Sequence, residues 1–378
     1  MRVVHVCGEL GSYGAENVAL QIVRNNRDAD VEMAVMTVKR WSHPELRASI
    51  DFPLFAIDRN GRLDVGFVAR MVRALSSYRA QIVNTHGHHG RFWGRLAAHG
   101  AGVPVIIHSE HNPDLRRPPP GVVYWALDCA LRRRTTFVDV TGRRRDEIAA
   151  AERIAPDQIV AIPNGVALPA AIDGARDRVR FELRIPPDET AILMLARLHA
   201  QKRIDRAIDA LASLQAPMRE RLCLIIAGDG PLIEPLTAQA AKLGIASRVR
   251  FLGFRSDAPA LLAAADVALL TSDREALPLA MIEAMLSRVP IVSTPWDGAE
   301  SLLNEGRRGR IAASHTPKAI ADALRDVVEH RDAAIGRAEE AYEYARDEFA
   351  IETQVRRYIE LYRELLRESS RGLPDSAR

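Results

Sequence analysis

The chain lacks several features that mark other classes of protein. Its 378 residues include only three cysteines, and this odd number, widely spaced, fits neither a disulfide framework nor a zinc site. No run of 18 apolar residues occurs, so no membrane-spanning helix is expected. We therefore expect a cytoplasmic protein, and peripheral contact with the inner face of the membrane stays open.

The chain also lacks a large excess of charge of either sign. The 52 Lys and Arg residues nearly balance 49 Asp and Glu residues, for a net charge of +3, which argues against a nucleic-acid partner. An Asp-x-Asp pattern occurs only at residues 28–30. Because this pattern precedes a predicted strand, it lies at the wrong end for a metal–diphosphate site, and no metal is expected.

What the chain does have is an alternation of short apolar, β-branched runs with helical patterns. Six such runs lie between residues 3 and 164 and five between residues 191 and 295. This alternation predicts parallel sheets built from βαβ units. Residues 164–189, rich in Gly, Pro and charge, are predicted to be an interdomain linker. The fold class is therefore α/β, with two doubly wound Rossmann-like domains facing each other across a cleft and ligands at the carboxyl ends of the strands.

Two acids, Glu275 and Glu283, lie eight positions apart with Pro278 between them. On one helix they would be about 12 Å apart, too far to share a proton but suited to gripping two parts of an extended ligand. Pro278 is favoured at a first helical position, which leaves Glu275 in the entry loop and Glu283 in the second turn. Two solvated glutamates are the alternative interpretation.

Two cations, Arg197 and Lys202, follow a predicted strand and precede a helix. Arg through its planar fork and Lys as a point charge can together hold a diphosphate, although surface cations are common. Carboxylates accept hydrogen bonds from sugar hydroxyls. The two cations and the two acids together therefore indicate a nucleotide-sugar.

Several stretches carry a resemblance to a known family: ARLHAQKRIDRAIDAL, LIIAGDGPL, VRFLGF, AAADVALLTS, IPNGV and the Glu275-x7-Glu283 segment. They resemble the family 4 retaining glycosyltransferases of GT-B fold, most closely between residues 159 and 330. The resemblance implies that Arg197 and Lys202 hold the donor diphosphate, Glu283 the ribose hydroxyls and Glu275 the donor sugar.

The N-terminal half carries looser matches. The loop GSYGAEN resembles the family's Gly-Gly-Ala-Glu loop, and NTHGHHG and HSEHN resemble its strand-end histidines. The resemblance places His111 near the reacting sugar and the β-phosphate. It assigns further residues to the donor (Gly14, Gly253, Phe254, Leu277, Leu279) and others to the acceptor side (Tyr13, Glu16, His86, His88). Lone histidines are usually structural, which is the alternative for His86 and His88.

The resemblance also implies the domain plan. Residues 1–168 would form the acceptor-binding domain, completed by a C-terminal helix at 351–368, and residues 169–350 the donor-binding domain, with 369–378 a disordered tail. The chain departs from the family pattern at Ala196, Ala276 and Arg288, where glycine is usual. Each adds a side chain near the donor loops, Arg288 most of all, and this leaves the donor sugar open.

The activity implied by the resemblance is a retaining, metal-independent transfer of a sugar, with a UDP-sugar as the expected donor and no cofactor. The expected acceptor is a hydroxyl in cell-surface glycan or glycolipid assembly. A soluble natural-product acceptor is one alternative. A nucleotide-sugar 2-epimerase, an isomerase, is another, and it would need acid and base groups around C2 and C3 of the sugar.

A charge asymmetry favours an acceptor at an anionic surface. Residues 1–170 hold 22 Lys and Arg against 17 Asp and Glu, whereas the rest hold 30 against 32. Three arginine clusters, at 115–120, 131–136 and 141–147, flank the apolar and aromatic stretch 122–125. Basic residues beside an apolar group suit a membrane interface, so we expect the N-terminal domain to meet one.

Overall fold

The computed structural model describes residues 1–8, 15–39, 50–59, 64, 66–87, 90–111, 122–169 and 173–371. These fall into two compact units. Unit 1 comprises Met1–Ala167 and Ala350–Arg378, and unit 2 comprises Leu168–Phe349. The division lies within one residue of the positions expected from the sequence.

Unit 1 is built on a parallel sheet of seven strands in the order β3-β2-β1-β4-β5-β6-β7. The strands are β1 (Arg2–Cys7), β2 (Glu32–Thr37), β3 (Leu54–Ala56), β4 (Ile82–His86), β5 (Val105–Glu110), β6 (Thr136–Asp139) and β7 (Ile159–Ala161). The helices are α1 (Ala15–Arg24), α2 (Phe67–Tyr78), α3 (Arg95–Gly100), α4 (Val122–Arg132) and α5 (Arg145–Glu152). Strands β4 and β5 are buried along their whole length, as expected for a parallel sheet covered on both faces.

The last helix of the chain, α15 (Ile351–Arg371), belongs to unit 1. Its apolar face buries Val355, Tyr358 and Tyr362, and the tyrosine hydroxyls reach side chains on β4 and β5. The helix runs three residues past the expected end at 368, so the predicted tail from 369 is helical up to Arg371. Residues 372–378 lie outside the described part of the chain.

Unit 2 has a parallel sheet of six strands in the order β10-β9-β8-β11-β12-β13. The strands are β8 (Thr190–Leu195), β9 (Leu222–Ala227), β10 (Val249–Gly253), β11 (Val267–Leu270), β12 (Ile291–Ser293) and β13 (Arg310–Ile311). The helices are α6 (Ala175–Glu182), α7 (Ile204–Ser213), α8 (Ala216–Arg219), α9 (Ile233–Lys242), α10 (Ala258–Ala264), α11 (Leu279–Leu286), α12 (Ala299–Leu302), α13 (Pro317–Glu329) and α14 (Arg331–Phe349).

The predicted linker, residues 164–189, is not a simple connection, because it contains helix α6. Arg176 and Arg180 on this helix pair with Asp266 at 2.7 and 3.0 Å, and the Asp266 side chain is only 9% exposed. Two charged hydrogen bonds to one nearly buried carboxylate fasten α6 to unit 2. The high charge that suggested a linker is thus the charge of a docked helix.

Two further features bear on the expectations from composition. All three cysteines are free thiols. None of the helices in the described ranges is long and apolar enough to cross a membrane.

Candidate functional site

The predicted donor residues of unit 2 lie where the strand order reverses. The chain runs from β8 outward to β9 and β10, then returns to place β11 on the other side of β8. Arg197 and Lys202 follow β8, and Ser272 and Glu275 follow β11. The carboxyl ends of two such neighbouring strands form the usual ligand crevice of a doubly wound sheet.

Lys202 and Glu275 are in direct contact. The Lys202 Nζ donates to Glu275 Oε1 at 2.6 Å, and the Ser272 hydroxyl donates to the same oxygen at 2.5 Å. The Glu275 side chain is 8% exposed and that of Lys202 is 20% exposed. One ammonium proton is engaged by the carboxylate, so two more remain to meet an anion. The pair thus fixes the position of the Lys202 ammonium at the carboxyl side of the unit 2 sheet.

Backbone contacts fix the two loops that carry this pair. Thr271 Oγ1 donates to the carbonyl of Lys202 at 2.9 Å, and the amide of Asp273 donates to the carbonyl of Gln201 at 3.0 Å. The Arg206 guanidinium donates to the Asp273 carboxylate at 2.5 Å. The loop after β8 is therefore fastened to the loop after β11. Such preorganised charge needs no rearrangement when a substrate develops negative charge.

Arg197 is exposed, and its guanidinium has no partner among the residues that the structure describes. Its backbone, in contrast, is tightly placed. The amide of Leu198 donates to the carbonyl of Asp229 at 2.8 Å, and a Cβ added at Gly228 would lie 2.1 Å from the carbonyl oxygen of Ala196. A fixed backbone with a free guanidinium suits capture of a phosphate.

Glu283 lies in the second turn of α11, as the sequence indicated. The helix begins at Leu279, so Pro278 is the residue before the first turn rather than in it. Within the described part of the chain, no side chain or amide bonds to the Glu283 carboxylate. Burial raises the pKa of this carboxyl. Glu283 is half-buried, and partial desolvation of a carboxylate without a partner is costly unless hydroxyl donors reach it; ribose hydroxyls are such donors.

We expect Glu283→Gln to raise the thermal stability of the protein while weakening binding of the donor nucleotide. The pKa of Glu283 is higher in the folded than in the unfolded protein. As the pH rises from the unfolded-state pKa to the folded-state pKa, the carboxylate therefore destabilises the fold increasingly, and above the folded-state pKa the destabilisation is constant. The gain in the free energy of unfolding should be about 1 kcal/mol at pH 8 and should shrink towards pH 5.

Thermal melts at both pH values, with UDP and GDP titrations, check the Glu283 prediction. Glu275→Gln is the matched control, because Glu275 has two hydrogen-bonding partners and its loss should destabilise. A lower melting temperature for Glu283→Gln at pH 8 would contradict the prediction.

The remaining donor candidates lie in the same unit. Gly253 ends β10 with φ of 67°, and Phe254 directly after it is 37% exposed, as an aromatic platform would be. Leu277 is nearly buried beside Glu275, and Leu279 opens α11 half-exposed.

Arg288 does not crowd the donor loops, contrary to the expectation from the sequence. It sits before the start of β12, at the amino edge of the sheet. There it pairs with Glu339 at 3.0 Å and stacks on the ring of Tyr342 at 3.5 Å. Ala196 and Ala276, the other two departures, are both nearly buried.

Unit 1 contains a row of three histidines that ends at His111, the residue expected near the reacting sugar. His5 on β1 bonds to His86 at the end of β4 through Nδ1 and Nε2 at 2.9 Å. His86 Nδ1 bonds in turn to Nε2 of His111, just after β5, at 3.1 Å. We call these three residues the histidine row. Strand β1 neighbours β4, which neighbours β5, so the row crosses the sheet at its carboxyl side.

The histidine row is uncharged at neutral pH. Burial lowers the pKa of His5 to about 3 and that of His111 to about 4, and it holds the pKa of His86 well below its usual range. His86 is fully buried, so it does not present its ring to an acceptor as the resemblance implied. It lies behind His111. The role of His5 was missed from the sequence, where its only signal is a polar residue inside the apolar run VVHV.

The neutral histidine row predicts a loss of stability in mild acid. Its folded-state pKa values are depressed below 6.5, so stability is fully present above about pH 6.5 and is lost as the pH falls. Each histidine should contribute up to about 1.4 kcal/mol per pH unit. Urea unfolding between pH 7.5 and 5 measures this slope. His111→Asn should lower the number of protons taken up on unfolding by about one, and the slope should fall accordingly. His99→Gln, at an exposed position, should leave the slope unchanged. Equal slopes for all three proteins would refute the assignment.

Four predicted residues cannot be placed in the site. Tyr13, Gly14 and His88 lie outside the described residues, and Glu16 is described only as part of the backbone of α1. In the ranges that are described, no group of three or more His, Cys, Asp or Glu side chains is arranged to hold a metal ion.

Comparison with known proteins decides the family. The model "Glycosyltransferase Family 4" matches residues 13–168 and "Glycosyl transferases group 1" matches residues 175–348. A GDP-mannose-dependent alpha-(1-6)-phosphatidylinositol dimannoside mannosyltransferase from Mycobacterium tuberculosis is 35% identical over 67% of this chain and 67% of its own length. The chain belongs to glycosyltransferase family 4. The prediction from the sequence motifs is confirmed, and this glycosyltransferase has the GT-B fold.

The chain is also similar to two other proteins. The UDP-Gal:alpha-D-GlcNAc-diphosphoundecaprenol alpha-1,3-galactosyltransferase of Escherichia coli is 29% identical over 64% of this chain and 64% of its own length. The crystal structure of Anabaena HepE with UDP-glucose is 22% identical, covers 96% of this chain and 100% of that one, and has a TM-score of 0.83. At that identity the HepE structure shows a shared fold. The names of the mycobacterial and E. coli enzymes state nucleotide-sugar donors, GDP-mannose and UDP-Gal.

Proposed function

We propose that this glycosyltransferase moves a sugar, with retention of anomeric configuration, from a UDP-sugar to an acceptor hydroxyl, without a metal ion. The observation that carries the proposal is that Arg197, Lys202 and Glu275 follow the two strands at the switch point of unit 2, while Glu283, on the adjoining helix, has no partner among the described residues. Two cations and two carboxylates match the diphosphate, sugar hydroxyls and ribose of such a donor.

The transfer follows from the charges at this site. The bond between the sugar C1 and the leaving diphosphate oxygen breaks, and both its electrons leave with the diphosphate. Arg197 and Lys202 stabilise that growing negative charge, and electrostatic stabilisation of this kind supplies most of the rate enhancement in many enzymes. The acceptor oxygen bonds to C1 from the same face, and its proton passes to the departing phosphate oxygen.

Glu275 holds the donor sugar in this mechanism rather than attacking it. Its Oε1 already accepts from Lys202 and Ser272, and a second oxygen is left for sugar hydroxyls. A carboxylate engaged in this way is a poor nucleophile. The proposal therefore contains no glycosyl-enzyme intermediate.

Uridine is proposed as the nucleoside of the donor because HepE was crystallised with UDP-glucose and the E. coli relative uses UDP-Gal. The mycobacterial relative depends on GDP-mannose, so GDP-sugars belong in the test. The enzyme should be incubated with a panel of both donors and mixed acceptors in EDTA. We expect transfer from one UDP-sugar, with an α-linked product by NMR if the donor is α.

Three results of the donor panel would count against the proposal. Activity that requires added Mn²⁺ or Mg²⁺ would refute metal independence, and a β-linked product from an α-linked donor would refute retention. Release of a C2-epimerised sugar without acceptor would assign the protein to the isomerases instead.

The acceptor is proposed to be a lipid-linked glycan presented at the cytoplasmic face of a membrane. Two relatives act, by name, on a phosphatidylinositol dimannoside or a diphosphoundecaprenol. In unit 1, Arg133 and Arg134 are exposed, whereas Arg132 is held internally by Asp128 at 2.9 Å. Each exposed arginine near an anionic leaflet contributes about 1 kcal/mol.

Co-sedimentation with vesicles of phosphatidylglycerol or of phosphatidylcholine, at low and high salt, tests the membrane contact. We expect binding to the anionic vesicles alone, lost at high salt. An Arg133→Gln/Arg134→Gln variant should bind less, and Arg178→Gln, an exposed arginine of unit 2, should bind as well as the wild type. Salt-insensitive or absent binding, with efficient transfer to a soluble acceptor, would favour the natural-product alternative.

A further inference from the structure

The histidine row continues into the core of unit 1 beyond His5. The hydroxyl of Tyr362, on α15, lies 3.5 Å from Nε2 of His5. The Asn84 side-chain amide donates to the same hydroxyl oxygen at 3.1 Å. Because the tyrosine oxygen accepts from Asn84, its single proton is left to donate to His5.

The orientation of the Asn84 amide is itself fixed. The Ser109 hydroxyl donates to Asn84 Oδ1 at 3.0 Å, and Tyr358 lies 2.8 Å from the Ser109 oxygen as the remaining donor. With Oδ1 occupied as an acceptor, the Nδ2 end of the amide must face Tyr362. The direction of hydrogen bonding is therefore set before the histidine row begins.

A neutral imidazole has one N–H donor and one acceptor nitrogen, so each link in the histidine row determines the next. If His5 accepts at Nε2, its Nδ1 carries the proton and donates to His86 Nε2. His86 then donates from Nδ1 to Nε2 of His111. The two rings of the first link are nearly coplanar, at 21°, which suits an in-plane hydrogen bond.

The histidine row ends in a donor that has no partner in the described ranges. His111 Nε2 is taken by His86, and its Nδ1 has no partner among the described residues. His111 is half-buried and directly follows β5, at the carboxyl side of the sheet. In the opposite polarity, with His5 donating to Tyr362, this nitrogen would instead be an acceptor.

We infer that Tyr362 is a positioning residue that fixes the tautomers of His5, His86 and His111, so that His111 presents an N–H donor from Nδ1 to a substrate oxygen at the carboxyl side of the unit 1 sheet. This inference rests on the proposed function for the identity of the substrate, but the tautomer stands on the contacts alone. A neutral donor stabilises developing negative charge and does not accept the proton of the acceptor hydroxyl.

The direct test is ¹⁵N NMR of the full-length protein labelled at histidine, with His111→Asn used to assign the signal. We expect His111 of the wild type to be protonated at Nδ1 and unprotonated at Nε2 at pH 7.5. The reverse tautomer, or a charged ring, would overturn the inference without any further variant.

Tyr362→Phe removes the proton that sets the polarity. We expect a mixture of His111 tautomers and a fall in kcat of roughly tenfold, part of the effect of losing one charge-stabilising donor, with little change in KM. Tyr78→Phe is the control, because the Tyr78 hydroxyl is buried in unit 1 but has no hydrogen-bonding partner in the described ranges, so it lies outside the network that sets the polarity. It should keep the wild-type tautomer and stay within about threefold of the wild-type kcat.

Each outcome of the tyrosine comparison is decisive. Wild-type tautomers in Tyr362→Phe, or an equal loss of kcat in both variants with unchanged tautomers, would overturn the inference and leave α15 a purely structural element. If the wild type transfers no sugar from any donor, the proposed function fails, but the NMR result on His111 still decides the tautomer.

Discussion

Lys202→Ala should lower the turnover of sugar transfer by roughly 10²- to 10³-fold, the cost of removing one preorganised charge-stabilising group. Its ammonium is fixed at the carboxyl side of the unit 2 sheet by Glu275, and alanine removes this charge. The variant should also be less stable by about 1–3 kcal/mol, because the Glu275 carboxylate, only 8% exposed, loses its charged partner.

Two further variants separate catalysis from folding. Lys202→Ala combined with Glu275→Gln should recover part of the lost stability without recovering turnover. Lys242→Ala, at an exposed position on α9, controls for loss of a positive charge and should behave as the wild type. Initial rates and thermal melts measure both properties. Turnover of Lys202→Ala within threefold of the wild type would refute its assignment to the diphosphate.

Gly228→Ala is the second variant with a large expected effect, because the added methyl group would overlap the backbone of the loop that carries Arg197. Gly228 has φ of 147°, and an added Cβ would lie 2.1 Å from the backbone oxygen of Ala196. Backbone strain and overlap together should cost about 2–5 kcal/mol. If the loop shifts to relieve the overlap, Arg197 moves with it, and donor affinity should fall at least tenfold.

Gly244→Ala is the control for Gly228→Ala. This glycine also has a positive φ, of 71°, but nothing lies within 4 Å of an added Cβ. It should lose stability from strain alone and keep the wild-type affinity for the donor. Urea unfolding and a UDP titration distinguish the two effects. Equal donor affinity for the two alanine variants would show that Gly228 does not place the Arg197 loop.

Much of the fold was predictable, because central parallel strands are continuous apolar runs. Strand β9, LCLIIA, is one such run and is buried along its whole length. The two strands that were missed, β3 and β13, are short edge strands of three and two residues. An edge strand is half-exposed and gives little hydrophobic signal. Helix α6 was missed because its arginines contact Asp266, about 90 residues away, and charge alone indicated a linker.

The sequence predicted which strand each site residue follows, but not which of these residues are in contact. Motif spacing placed Arg197, Lys202 and Glu275 after strands, but no spacing shows that Lys202 and Glu275 touch, since they are 73 residues apart. The histidine row joins β1, β4 and β5 in the same way and closes on Tyr362, 357 residues from His5. Contacts made by sheet order and by the returning helix α15 have no local signal.

The most direct test of the central claim, that the switch point of unit 2 holds a nucleotide-sugar, is calorimetric titration of UDP and GDP into the wild type and into Arg197→Ala, both in EDTA. We predict that UDP binds the wild type at one site and binds Arg197→Ala at least tenfold more weakly, with equal melting temperatures because the exposed guanidinium contributes little to folding. Binding of neither nucleotide to the wild type, or equal binding of UDP to both proteins, would contradict it.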